Sequence, residues 1–258
     1  MSETPFLIVG ICSKEHVTQA THSALRRLFQ GLPFPFDEDI EPGGGLVLGR
    51  NLIAGRFHQG INRAGARYAR KPTHLLLVDD DVGGFTSDDV VRMVEAGEDV
   101  IGAPIPGRGV DLRCLFEAMR RRVPKDRLHF HLSPLLVGHL PAEERRPIHK
   151  GHLYAVSHMS TGFLLVTRRA IETMIADLPD STAIVEGREV TTLFEFGVDR
   201  ARNWIGEDVG FCLRWRALGG SVYADTKTSL IHMGQQAFFA EPLETLLASV
   251  EETRADRS

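Results

Sequence analysis

Cysteine is scarce in this 258-residue chain: Cys12, Cys114 and Cys212 are scattered and odd in number. They fit neither a disulfide framework nor a CxxC metal site, so a reducing, cytoplasmic setting is expected. Long apolar runs are missing too. None approaches the roughly 20 residues needed to span a bilayer, and no basic stretch leading into an apolar core opens the chain. Charge of one sign is also lacking. The net charge of −4 and pI near 6.3 provide no general basic field, so nucleic acid is not an expected partner. Repeats and low-complexity tracts are absent, and Gly43-Gly44-Gly45 is not followed by the GK[ST] of a phosphate-binding loop. What remains has the composition of a soluble globular protein, 43% hydrophobic with mean hydropathy −0.10. Peripheral contact with a membrane stays open.

Residues 75–82, Leu-Leu-Leu-Val-Asp-Asp-Asp-Val, carry the most information. A short unbroken apolar run reads as a buried strand, and three carboxylates cannot continue it into a core. Asp79, Asp80 and Asp81 therefore belong at the carboxyl edge of a sheet, where open α/β sheets bind ligands. Adjacent carboxylates repel unless a cation compensates, and hard oxygen ligands suit Mg²⁺ or Mn²⁺ with positions left for phosphate oxygens. The bland alternative is an acidic turn, one Asp capping the next helix. Ser87, Asp88 and Asp89 lie nearer that helix and are better caps, while Gly83-Gly84 suggests a tight path straight after the acids.

Periodicity predicts strands at 6–12, 74–78, 99–103, 153–157, 161–167, 221–224 and 229–232. It predicts helices at 16–30, from Arg50 through Ala64, and at 88–96, 168–177, 207–218 and 242–252, the last followed by a polar tail. The Pro- and Gly-rich residues 31–49 read as a connector with a short strand at 34–36 or 46–48. Residues 104–152, rich in Pro, Arg and His, read as an insertion. Strand and helix alternate in the opening third, which argues for a mostly parallel sheet with helices on its faces. Three separated features need one explanation: the Asp triplet, Glu207-Asp208 opening a helix, and His232 closing a strand. Singly, the acidic pair can be dipole-favourable capping and His232 a half-buried core histidine.

In order, "LIVGICSKEHV", "GRNLIAGRF", "THLLLVDDDV", "VIGAPIP", "STGFLLVTRRAIETM", "GEDVGFCLRWRALGGSVYAD" and "LIHMGQQAFF" resemble the GT-A class of nucleotide-sugar glycosyltransferases, especially its family-2-like inverting group. The resemblance covers roughly residues 6–240. It implies an α/β, Rossmann-like fold in one catalytic domain, 1–258. Within it, 1–103 would bind the nucleotide sugar, 104–152 would be a variable acceptor-side insertion, 153–240 would bind the acceptor, and 241–258 would form a terminal helix and tail. It implies a nucleoside diphosphate sugar as donor and a carbohydrate, glycolipid or other hydroxyl acceptor. Asp81, Asp79 and His232 would hold the metal, with Mn²⁺ favoured over Mg²⁺ by the imidazole. Asp79, Asp80, Arg50, Thr161 and Gly162 would line the donor site. Asp208 would be the catalytic base, supported by Glu207.

Several residues keep a plainer reading. Arg50 can be a surface arginine and Gly162 a strand bulge. Trp215 shares an apolar helix face with Phe211 and Leu218 and reads as core, whereas Trp204, just before the acidic pair, suits acceptor contact. His129, His131, His139, His149 and His152 match no zinc spacing. Arg120-Arg121-Arg122 can be a solvated helix face, or can meet a lipid-linked phosphate or a membrane surface. Two other functions compete with transfer of a sugar. A sugar-phosphate nucleotidyltransferase would be expected to carry a Gly-rich basic loop after the first strand, and residues 10–18 do not. A non-catalytic nucleotide- or carbohydrate-binding module would have less reason to keep both the Asp triplet and Asp208.

Overall fold

The computed structural model describes residues 4–13, 16–43, 45–177, 182–185, 188–198, 202–234, 237–239 and 242–245. The chain runs β1 (Leu7–Ser13), α1 (Gln19–Gly31), β2 (Phe36–Pro42), α2 (Leu46–Gln59), β3 (His74–Asp79), β4 (Val82–Gly83), α3 (Ser87–Ala96), β5 (Val100–Gly102), β6 (Ile105–Pro106) and α4 (Leu112–Arg120). It continues β7 (Leu135–Leu136), β8 (Leu153–Val156), β9 (Phe163–Thr167), α5 (Arg168–Asp177), β10 (Thr182–Val185), β11 (Arg188–Thr191), β12 (Gly197–Val198), β13 (Trp204–Ile205), α6 (Glu207–Ala217), β14 (Val222–Asp225), β15 (Ile231–Met233) and β16 (Ala237–Phe239).

A seven-stranded sheet in the order β2-β1-β3-β9-β5-β14-β8 is the spine. β2, β1, β3, β5 and β14 run one way; β9 and β8 run against them. The mostly parallel α/β sheet expected from the alternation is therefore present. The apolar run in β3 is unbroken because both of its faces are covered. Leu75 and Leu77 pack with Ile53, Phe57, Phe211 and Trp215 beneath α2, α5 and α6. Leu76 and Val78 pack with Ala24, Leu28, Val90 and Met93 beneath α1 and α3. Gly10 of β1 lets α2 lie close, since a Cβ there would sit 2.6 Å from Ile53 Cγ2.

A three-stranded sheet, β16-β15-β4, sits beside the Asp triplet. β15 pairs antiparallel to β4 with His232 opposite Val82, just after the acids.

Four local expectations need correction. The helix expected from Arg50 begins at Leu46, behind Gly45 at φ 75°, and stops at Gln59 instead of reaching Ala64. Gly60 ends it in the left-handed region, its N–H reaching Arg56 O and Phe57 O. The connector strand lies at 36–42, not 34–36 or 46–48, and is the acidic Phe-Asp-Glu-Asp-Ile-Glu-Pro. Acids disfavour strands in general, but β2 is an edge strand and Arg56 of α2 pairs with both Asp39 and Glu41 at 2.7 Å each. α3 is capped by Thr86, which forms a reciprocal capping box with Asp89, rather than by Ser87 or the acids alone. The insertion is not wholly irregular, because it contains α4. Beyond residue 245, the helix and tail expected at the C-terminus lie outside the described residues. Among the described residues no helix is long and apolar enough to cross a membrane.

Candidate functional site

β3 leaves the sheet at Asp79, whose N–H donates to Gly162 O at 3.0 Å. Its carboxylate accepts from Arg50 Nη2 at 2.7 Å, and Arg50 Nη1 donates to Glu207 Oε1. Arg50 is 3% exposed and its partners' side chains only 15% and 12%. Burial alone would weaken its hold on a proton, but Asp79 and Glu207 outweigh that and keep the guanidinium charged. One buried fork therefore ties the end of β3 to the first turn of α6, a geometry lysine cannot reproduce. This is neither the surface arginine of the plain reading nor a residue at a helix start.

Gly162 makes that junction possible. A Cβ there would stand 2.7 Å from Ile105 Cδ1 and 2.8 Å from Asp79 Oδ2. Gly162→Ala is therefore expected to displace Asp79 from Arg50 and to cost about 1–3 kcal/mol, measured by urea unfolding. Neighbouring Thr161 is fully buried, and its Oγ1 has no hydrogen-bond partner among the described residues.

The other half of the triplet faces His232. Met233 N–H donates to Asp81 O at 2.7 Å, fixing β15 against the turn. His232 is 6% exposed, with Nδ1 2.7 Å from Pro106 O. A carbonyl only accepts, so Nδ1 carries the hydrogen and Nε2 is turned toward Asp81 Oδ1 at 3.3 Å. Asp81 Oδ1 and His232 Nε2 are both buried without a hydrogen-bond partner among the described residues. Two such acceptors facing each other call for a cation, either a proton on the imidazole or a metal ion. Arg108 Nη1 approaches the other oxygen of Asp81 at 3.0 Å. Burial pushes the Asp81 carboxyl up, but His232, where its imidazole carries the second proton, and Arg108 overcome it and hold it below the usual carboxylate range.

Among the described residues no three His, Cys, Asp or Glu side chains form a ligand cluster. Asp81 and His232 meet as a pair, while Asp79 is engaged by Arg50. Asp80 contributes its carbonyl, which accepts from Thr18 N–H at 2.8 Å and joins the triplet to the start of α1.

Asp208 follows Glu207 in α6, and its Oδ1 accepts from Val209 N–H at 2.7 Å. Burial pushes its carboxyl up and the Glu207 charge adds to this, against the lowering effects of Val209 N–H, Arg50 and His158. His158 is itself lowered by burial. Beside α6 opens a cleft of about 970 Å³, lined by Leu46, Asn51, Phe194, Glu195, Phe196 and Glu207 among others. Phe196 and Trp204 stack with centroids 5.5 Å apart and are 53% and 72% exposed. Trp215 is core as expected, its Nε1–H donating to Ser221 O at 3.0 Å. Thiol chemistry is disfavoured, because burial pushes Cys12 and Cys212 up to about 12.

Arg108, His158 and Phe196 were not singled out from sequence. Arg108 lies in the insertion, two residues past "VIGAPIP". Nothing in the local pattern marks His158 or Phe196.

No protein-family model matches the chain, and no curated protein matches it by sequence. Among solved structures, the crystal structure of A197 from STIV is similar over 92% of this chain and 94% of its own, at 13% identity and a TM-score of 0.48. The apo form of mouse xyloside xylosyltransferase 1 is similar over 81% of this chain and 80% of its own, at 9% identity and a TM-score of 0.27.

Proposed function

We propose that this chain is a metal-dependent glycosyltransferase with a GT-A fold in a single catalytic domain, moving a sugar from a nucleoside diphosphate donor to a hydroxyl acceptor with inversion. The observation that carries this reading is the pair of facing, unpartnered acceptors on Asp81 and His232 at the carboxyl edge of the sheet. They are joined through the Asp triplet and Arg50 to the acidic start of α6. A carboxylate and an imidazole suit Mn²⁺, with the remaining positions open to diphosphate oxygens. Bound there, the ion would stabilise the negative charge that builds on the departing nucleoside diphosphate.

The chain's own residues do the rest. Pro106 O keeps Nε2 of His232 available by holding hydrogen on Nδ1. Arg108, half-exposed and within reach of Asp81, adds positive charge there for the phosphates. Arg50 fixes Asp79 relative to α6, so that the donor side and Asp208 keep their spacing. Asp208 accepts the proton of the acceptor hydroxyl as that oxygen attacks the anomeric carbon from the face opposite the leaving group. Its upward shift brings it closer to a useful base than an ordinary aspartate. The Phe196–Trp204 stack provides an apolar platform of the kind that sugar rings cover.

Thermal-shift screening of UDP-, GDP- and dTDP-sugars with and without Mn²⁺, followed by product analysis with simple glycosides, tests the reading. One donor is expected to raise Tm only with metal and to yield a transferred sugar of inverted configuration. Metal-independent responses to every donor, with no product, would contradict it. Trp204→Ala is expected to raise the acceptor KM about tenfold with kcat little changed, since a stacking contact of about 1.4 kcal/mol is lost at an exposed site.

A further inference from the structure

α4 is amphipathic the wrong way round for a helix that serves only the core. Cys114 and Ala118 face inward, Ala118 at 2% exposure. Leu112, Phe116 and Met119, spaced to share one face, are 57%, 63% and 54% exposed, and Val110 just before them is 51% exposed. A contiguous outward stripe of large apolar side chains marks a contact surface rather than scattered surface hydrophobes. The charge around it is equally one-sided. Residues 107–127 hold seven Lys and Arg against three Asp and Glu, net +4 in a chain of net −4. Arg113 and Arg120 lie along the same flank of the stripe and are 91% and 71% exposed. Asp111 and Glu117 pair with Arg113, Arg120 and Arg121 but leave the surplus positive.

We propose that α4 and its basic flank dock this protein on an anionic lipid surface, the apolar stripe entering the headgroup boundary and the arginines meeting lipid phosphates. Apolar anchoring combined with positive charge is what an interfacial helix needs to bind stably, and neither alone suffices. A protein partner would have to match both the stripe and the positive surplus, whereas an anionic bilayer supplies both at any orientation about its normal. The inference does not depend on the chemistry proposed above. Arg108, which reaches Asp81, lies in the same segment, so docking would bring the Asp81–His232 pair close to the membrane.

The test is flotation of the full chain with vesicles of phosphatidylcholine alone and of equal parts phosphatidylcholine and phosphatidylglycerol. Binding is expected to the mixed vesicles, to weaken with added salt, and to be slight with phosphatidylcholine alone. The double variant Phe116→Asp, Met119→Asp alters only exposed side chains. It is expected to keep its Tm and to bind about tenfold more weakly or less. Arg113→Glu with Arg120→Glu is expected to lose the preference for the mixed vesicles while leaving Tm unchanged. Failure of the unaltered chain to float with the mixed vesicles would overturn the proposal. So would undiminished flotation of the aspartate variant, or sedimentation showing that the stripe instead joins two copies and that Phe116→Asp separates them.

Discussion

Asp208→Asn is expected to reduce sugar transfer by a factor of about 10²–10⁴ while leaving metal-dependent donor binding nearly unchanged. The amide keeps an oxygen to accept from Val209 N–H, so that first-turn N–H of α6 keeps its partner. It cannot take a proton from an attacking hydroxyl. The pH dependence sharpens this expectation. Because burial raises Asp208, the acid limb of kcat/KM in the unaltered protein should lie above the ordinary aspartate range. The same shift has a sign for stability. A carboxyl whose folded pKa is raised favours folding in its protonated form, so its contribution falls as pH rises from the unfolded value through the folded one. At neutral pH the charged Asp208 therefore works against the fold. Asp208→Asn should therefore be slow in transfer yet no less stable than the parent, measured by urea unfolding at pH 7. Transfer near the original rate would remove Asp208 as the base, and a large loss of stability would contradict the raised carboxyl.

Arg50→Met is the substitution expected to cost most stability, about 3–5 kcal/mol, because it strands two carboxylates that are nearly buried. Urea unfolding at neutral pH measures it. Converting Asp79 and Glu207 to Asn and Gln in the Arg50→Met background should recover part of the loss, since the cost comes from uncompensated charge rather than from missing volume. No recovery would mean that packing around α2, rather than the ion pairs, sets the penalty. Arg50→Lys should also be destabilising, because an ammonium cannot span the two acceptors as the planar fork does.

The fold was legible where one signal dominated. The run Leu75–Val78 reads as buried because both faces are covered, and the structure puts it between two cores. The acidic strand β2 was misplaced because its stability comes from Arg56, on a helix later in the chain, which local propensity cannot register. The early start of α2 was hidden by the run of glycines before it, and its end by Gly60, whose left-handed conformation outweighs the apolar pattern that continues to Ala64.

The site was legible in its parts and less so in its pairings. Sequence order brought Asp81 and His232 under one hypothesis, and the antiparallel match of β15 with β4 accounts for their contact. It placed Asp79 in the same metal shell, whereas its carboxylate pairs with Arg50, a long-range ion pair that no spacing rule reveals. Arg108 escaped notice because it lies in the insertion, where no pattern could be carried over. Its place beside Asp81 is set by the fold.

Counting bound Mn²⁺ by electron paramagnetic resonance of the free ion, with and without nucleoside diphosphate, tests the central claim most directly. The unaltered protein should bind one ion per chain, more tightly when the nucleotide is present. His232→Gln and Asp81→Asn should each weaken that binding about tenfold or more while retaining the cooperative unfolding of the parent. Equal Mn²⁺ binding by the parent and both variants, or none by the parent with nucleotide present, would contradict it.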